Sequence, residues 1–192
     1  ETSGNFRRFS LPVIILVLCL GIFFLGKGLY IPVKAFAAQV LLERAWQKIQ
    51  RGDNDTKPWP WADFKPVASL YFPEQDYQTI VVNGASYTSL AFAPGHMDGS
   101  APPGEKGNTV IIGHRETHFS LLQQLHPGDT FYLTIPGGTQ VHYRVHATRI
   151  INKTNTIVMN QKDDSMVTLI TCYPFQAFLP GDQRYVVIAM QC

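Results

Sequence analysis

The stretch Val141-His142-Tyr143-Arg144-Val145-His146-Ala147-Thr148 alternates apolar and polar side chains one by one. Successive side chains of a strand point to opposite faces, so this octapeptide reads as a strand with one buried and one wet face. Just upstream, Phe131 to Ile135 runs into Pro136-Gly137-Gly138, which supplies the tip of a hairpin. The same pattern extends outward from that hairpin. It begins at Val67, and Tyr77 to Val82 ends in the turn signal Asn83-Gly84. Thr109 to Ile112 ends in Gly113, and Val167 to Thr171 and Tyr185 to Met190 are further apolar runs of strand length. Only Phe119 to Leu125 reads as a short helix, stopped by Pro127-Gly128. Many short strands separated by turns predict an all-β sandwich or barrel.

The segment before Val67 follows other rules. Three prolines in Lys57-Pro-Trp-Pro-Trp-Ala-Asp-Phe-Lys-Pro66 exclude a regular helix or a central strand, and the two tryptophans are expected to lie flat on the following domain. Upstream, Ala38, Leu42, Ala45 and Ile49 recur at spacings of four, three and four with Trp46 beside them, while Glu43, Gln47 and Gln50 lie off that stripe. This predicts an amphipathic helix from about Val33 to Gln50, packed on the domain through its apolar face and ended by Gly52-Asp53-Asn54-Asp55. From Phe9 to Gly26 no residue is charged. About 18 helical residues at ~1.5 Å each span about 27 Å, near the thickness of a bilayer core. Arg7 and Arg8 precede the run, so its N-terminal side is expected in the cytoplasm and the rest of the chain outside. Ala35-Phe36-Ala37 resembles a signal-peptide cleavage site but lies beyond Lys27 and Pro32, which favours an uncleaved anchor. The expected organisation is residues 1–32 as cytoplasmic tip and transmembrane anchor, 33–66 as amphipathic helix and linker, and 67–192 as catalytic domain.

Hydrophobic residues make up 45% of the 192, enough for a core, and the net charge of +2 carries no basic stripe suited to nucleic acid. Three cysteines are no disulfide framework. Cys19 lies in the apolar run and Cys192 is the last residue. Cys172 is placed differently, in Val-Thr-Leu-Ile-Thr-Cys-Tyr-Pro-Phe, where a β-branched strand ends and Pro174 breaks the ladder. A thiol at a strand end becomes a nucleophile when a base or cation favours its thiolate. Two other strand ends carry such groups: His114 after Gly113, and Arg184 at the start of the last strand. In a closed sheet these ends can converge on one rim. His142 and His146 fall on the wet face of their strand, and His96 and His126 read as loop residues. His114 and His118 are four apart, but a strand end after glycine is not the helix that such a zinc pair needs. Asp98, Glu105, Asp163 and Asp164 are too dispersed to suggest a calcium site.

Thr168-Leu-Ile-Thr-Cys172 resembles the TLxTC signature of sortases, with Gly113-His114 and Arg184-Tyr-Val-Val187 matching the family's histidine and arginine in the same order. Lys57 to Phe64, Gly107 to Phe119, His126 to Asp129 and Thr171 to Phe175 look like the Gram-negative branch, class GN. The resemblance implies an eight-stranded barrel that needs no cofactor. It implies cleavage of a C-terminal LPxTG-like sorting signal through a thioacyl enzyme and transfer of the protein to an amine. Cys172 is then the nucleophile, His114 the acid and Arg184 the oxyanion or backbone ligand. Two other readings are a different cysteine peptidase or L,D-transpeptidase, and a catalytically idle, membrane-tethered β-domain that binds a partner.

Overall fold

The computed structural model describes residues 3–159, 164–177, 179 and 181–192. Asp163 lies outside the described residues. The chain divides into two compact units, Glu1–Val40 and Leu41–Cys192.

The first unit is helical and belongs to α1, which runs Ser3–Gln50. An 18-residue window of this helix has a mean hydropathy of 2.4 and none of it is buried, so it is long and apolar enough to cross a membrane. The sequence placed the start of a separate helix after Pro32. Instead, α1 continues through both Pro12 and Pro32.

The second unit is a closed barrel of eight strands: β1 (Pro66–Phe72), β2 (Tyr77–Asn83), β3 (Gly95–His96), β4 (Asn108–Ile112), β5 (Thr130–Thr134), β6 (Gln140–Asn152), β7 (Met166–Tyr173) and β8 (Gln183–Gln191). Around the barrel the order is β1-β2-β3-β4-β7-β8-β6-β5, with β2–β3 and β4–β7 parallel and the other neighbours antiparallel. The alternation read from β6 is real over its first half. Tyr143 and Val145 are buried, whereas His142, Arg144 and His146 are exposed. Between Val145 and Ala147 the register with β8 shifts, and beyond that point the alternation weakens.

β7 is buried continuously from Met166 to Thr171 because both of its faces are covered. Val167 and Leu169 join Leu70, Phe72, Phe131 and Tyr143 in the main core. Ile170 packs on the other side with Val110 and Val186. At ~25 cal/mol per Å² of apolar surface, each such buried side chain contributes on the order of 2 kcal/mol. These contacts fix β7, whose end carries Cys172.

The end of α1 packs as its stripe predicts. Leu42, Trp46 and Ile49 are buried in a cluster with Phe64, Ile80, Val82 and Ala93. Trp59 lies edge-on against Phe64 and Phe92, with ring centroids 5.5 and 5.1 Å apart. Trp61 does not lie on the domain; it is 83% exposed. A turn closed by the Ala62 amide on the Trp59 carbonyl separates the two tryptophans. His96 is also not a loop residue. It pairs in β3, and its Nε2 lies 3.0 Å from the Ala101 carbonyl and 2.9 Å from Ser100 Oγ. A two-residue strand is too short to leave a periodic signal in sequence. The same holds for α2 (Tyr87–Leu90), which is capped by Ser86 Oγ on the Ser89 amide. The short helix read over Phe119 to Leu125 is a 3₁₀ turn, Ser120–Gln124.

Candidate active site

Cys172, His114 and Arg184 lie at the same end of three neighbouring strands. Cys172 is directly opposite Arg184 in the β7–β8 ladder. On the other side, β4 runs parallel to β7 with Ile112 level with Ile170. Two residues further along both chains, that register sets His114 level with Cys172. Two bonds carry the register past the end of β4. The Gly113 amide donates to the Ile170 carbonyl at 3.1 Å, and Thr171 Oγ1 donates to the Gly113 carbonyl at 2.8 Å.

Glycine is required at the turn into His114. A Cβ on Gly113 would come within 2.7 Å of the Phe119 ring, which is fully buried. The chain then doubles back in a turn, with the Phe119 amide on the His114 carbonyl at 3.0 Å. His114 thus projects from a turn anchored on the core at both ends. A second glycine shapes the far side. A Cβ on Gly181 would meet the Tyr173 carbonyl oxygen at 2.7 Å, so the β7–β8 loop folds closely over the end of β7. Arg184 Nη1 donates to the Gly181 carbonyl at 3.0 Å and to the Gln183 carbonyl at 2.9 Å.

The three side chains share one cleft of about 620 Å³, whose apolar lining includes Tyr87, Leu90, Ile112 and Ile170. Tyr87 is 95% exposed at its rim. That volume suits an extended peptide of a few residues, with apolar walls for side chains and a small polar centre for chemistry. Cys172 is half-buried, and all three cysteines of the chain are free thiols.

His118 does not share this cleft lining. Burial, with a smaller contribution from nearby His114, pushes its pKa down and favours the neutral ring. Residues 115–119 form turns, so the helical spacing of a zinc pair is absent there.

One cleft residue carries no signal that sequence reasoning used. Arg115 is only 4% exposed. Its Nε donates to Glu116 Oε1 at 2.6 Å and its Nη1 to the Pro174 carbonyl at 2.7 Å. Its Nη2 donates to the Ala177 and Leu179 carbonyls at 2.5 and 3.3 Å. Burial would raise the pKa of Glu116, but Arg115 and more weakly His114 outweigh it and hold the carboxyl below its ordinary range. A charged residue after a strand end ordinarily faces water. Here its acceptors are about 60 residues away, beyond the reach of any local pattern.

Comparison with known proteins bears on the family and the fold. The Sortase domain profile matches residues 70–192. Sortase D of Bacillus subtilis is 31% identical over 132 residues, covering 66% of each chain. Sortase A of Listeria monocytogenes is 30% identical over 110 residues, covering 55% of this chain and 49% of its own. The chain thus spans about two thirds of the first relative and about half of the second. Among solved structures, a Clostridium perfringens sortase D5 transpeptidase superposes with a TM-score of 0.66 at 22% identity, over 81% of this chain and 98% of its own. The domain profile covers well over half of the residues and includes all of β7 and β8, and on that evidence the chain belongs to the sortase family of cysteine transpeptidases.

Proposed function

We propose that the chain is a membrane-anchored transpeptidase that cleaves a C-terminal LPxTG-like sorting signal and transfers the protein to an amine, with Cys172, His114 and Arg184 as its catalytic residues. The observation that carries the reading is the level placement of these three residues at the ends of adjacent strands β4, β7 and β8, with His114 two residues past β4, around one cleft. Cys172 thiolate attacks the carbonyl of the Thr-Gly-like bond, and protonated His114 gives its proton to the leaving amine. Arg184 faces Cys172 across the ladder, where its guanidinium fork can hold the tetrahedral oxyanion or the substrate backbone. The incoming amine then attacks the thioester, its proton passes to His114, and the thiolate leaves.

The motifs at residues 57–64, 107–119, 126–129 and 171–175 support placement in the class GN branch. The apolar window of α1, with Arg7 and Arg8 before it, supports a single-pass anchor in the inner membrane with the barrel on the periplasmic side. The proposed division is residues 1–32 as tip and anchor, 33–66 as helix and linker, and 67–192 as catalytic domain.

The test is a covalent adduct. An LPxTG-like peptide incubated with the protein should acylate Cys172, mapped by mass spectrometry. A suitable primary amine should speed turnover and appear in the product. A broad panel of amines that yields only hydrolysed acid, at a rate independent of amine, would replace transfer with proteolysis.

A further inference from the structure

A nucleophile and its acid on different strands must be held at a fixed separation, because each is free to drift with its own loop. Here the two are cross-linked on both sides. Ahead of them, Thr171, the residue before Cys172, bonds the carbonyl of Gly113, the residue before His114. Behind them, Arg115, the residue after His114, bonds the carbonyl of Pro174, two residues after Cys172. Thr171 and Arg115 are 1% and 4% exposed, so both links are shielded from competing water.

The two links differ in reach. Thr171 Oγ1 makes one bond to one carbonyl. Arg115 makes bonds along the loop, to Pro174, Ala177 and Leu179, and steadies its own head with Glu116. The one carboxylate on this buried cation, Glu116, is itself exposed, so the site was built at some cost in desolvation. A planar fork with five donors fits such a spread of acceptors, and one ammonium does not.

We propose that Arg115 is a positioning residue for the transfer reaction. It fixes the β7–β8 loop against the turn that carries His114, and so sets the separation of His114 from Cys172. Its donors are taken up by Glu116 and the loop carbonyls, so it acts on the reaction through the placement of His114. The proposal rests on the reading of Cys172 and His114 as catalytic, and it gives a residue outside that pair a defined part in their chemistry.

A double-mutant cycle tests it, with peptide cleavage by the full chain followed by mass spectrometry. Arg115→Lys in the otherwise unaltered protein should lower kcat by about 100-fold, the scale expected when reacting groups are misplaced by about 1 Å, with little change in KM. In a His114→Ala background the same substitution should cost less than about 3-fold, because there is no acid left to misplace. Hydrogen exchange of the residue 175–177 amides, which does not depend on activity, should speed up in Arg115→Lys. Equal losses in both backgrounds would overturn the proposal, as would Arg115→Lys within about 3-fold of the unaltered protein. Arg115→Gln, which keeps a planar donor head, repeats the cycle. If both variants lose cooperative melting, Arg115 is a folding residue and the proposal falls. An unaltered protein that cleaves no peptide sinks the sorting reading instead, and the exchange measurement then decides the loop claim alone.

Discussion

The cleft has two walls, and an arginine stands in each. On the β4 wall Arg115 is buried and grips carbonyls 59 to 64 residues away in sequence. On the β8 wall Arg184 is half-buried and grips carbonyls one and three residues away. Long-range bonds from a buried head hold tertiary structure and are lost only with it. Local bonds from a half-buried head can be exchanged for substrate at little cost. The β4 wall is therefore the fixed side of the site and the β8 wall the adaptable side.

The largest expected effect removes what both walls serve. Cys172→Ala should abolish peptide cleavage while the melting temperature stays close to that of the unaltered protein, since a half-buried thiol loses little volume. Cys19→Ala and Cys192→Ala, at exposed positions, should retain activity. Near-normal turnover by Cys172→Ala would end the comparison, because neither wall would then border an active site. On the β4 wall, His114→Ala should cost at least ~100-fold in turnover and His118→Ala much less. A reversal of that order in steady-state assays would move the acid from His114 to His118.

Stability should divide the two arginines in the opposite sense. Arg115→Ala removes a buried head that bonds three carbonyls and Glu116, at a cost on the order of 3 kcal/mol. For a domain of this size that is roughly 6–12 °C in melting temperature. Arg184→Ala should change stability by no more than about 0.5 kcal/mol, as for an ordinary surface residue. Its effect belongs to catalysis: Arg184→Lys should slow acyl-enzyme formation, because one ammonium does not reproduce the fork. Calorimetry and single-turnover acylation on the same pair of variants check both halves. Equal melting shifts would erase the distinction between fixed and adaptable walls.

The same contrast explains what could be read in advance. Strands β2 and β4 to β8 announce themselves as apolar runs or alternations ended by turn residues, because their burial is a local, periodic property. The positions of Cys172, His114 and Arg184 are legible because each stands at one end of such a run, and the barrel then brings those ends to one rim. β3 and α2 are too short to carry a period, and Trp61 stands exposed in a turn closed by the Ala62 amide on the Trp59 carbonyl. Arg115 was illegible for a stronger reason. Its burial is decided by a loop about 60 residues on, and nothing in Gly-His-Arg-Glu distinguishes a clamped arginine from a solvated one.

The smallest expected effect concerns acid, and it too separates the walls. Behind the β4 wall, outside the cleft lining, burial first and then His114 hold the pKa of His118 below its ordinary 6.5. The unfolded chain therefore binds this proton more readily than the folded one. The corresponding stability is complete above about pH 6.5 and drains as pH falls through the depressed folded value. Glu116 adds a second step lower down. Arg115 outweighs burial and holds its carboxyl below 4.5, so its contribution is present above that value and is lost as pH falls further. The β8 wall has its own pair, Lys153 Nζ to Asp182 Oδ1 at 2.6 Å, which depresses the pKa of Asp182. Both of its members are exposed, however, and solvent screening leaves such a pair little net effect on folding. Melting temperature followed from pH 7 to pH 3 should thus fall in two stages. His118→Gln should flatten the stage below pH 6.5. Glu116→Gln should flatten the lower stage more than Asp182→Asn, because only Glu116 is tied to a buried cation. If Asp182→Asn flattened the acid stage as much as Glu116→Gln, the β4 wall would hold no electrostatic advantage over the β8 wall, and Arg115 would anchor its loop through hydrogen bonds to carbonyls alone.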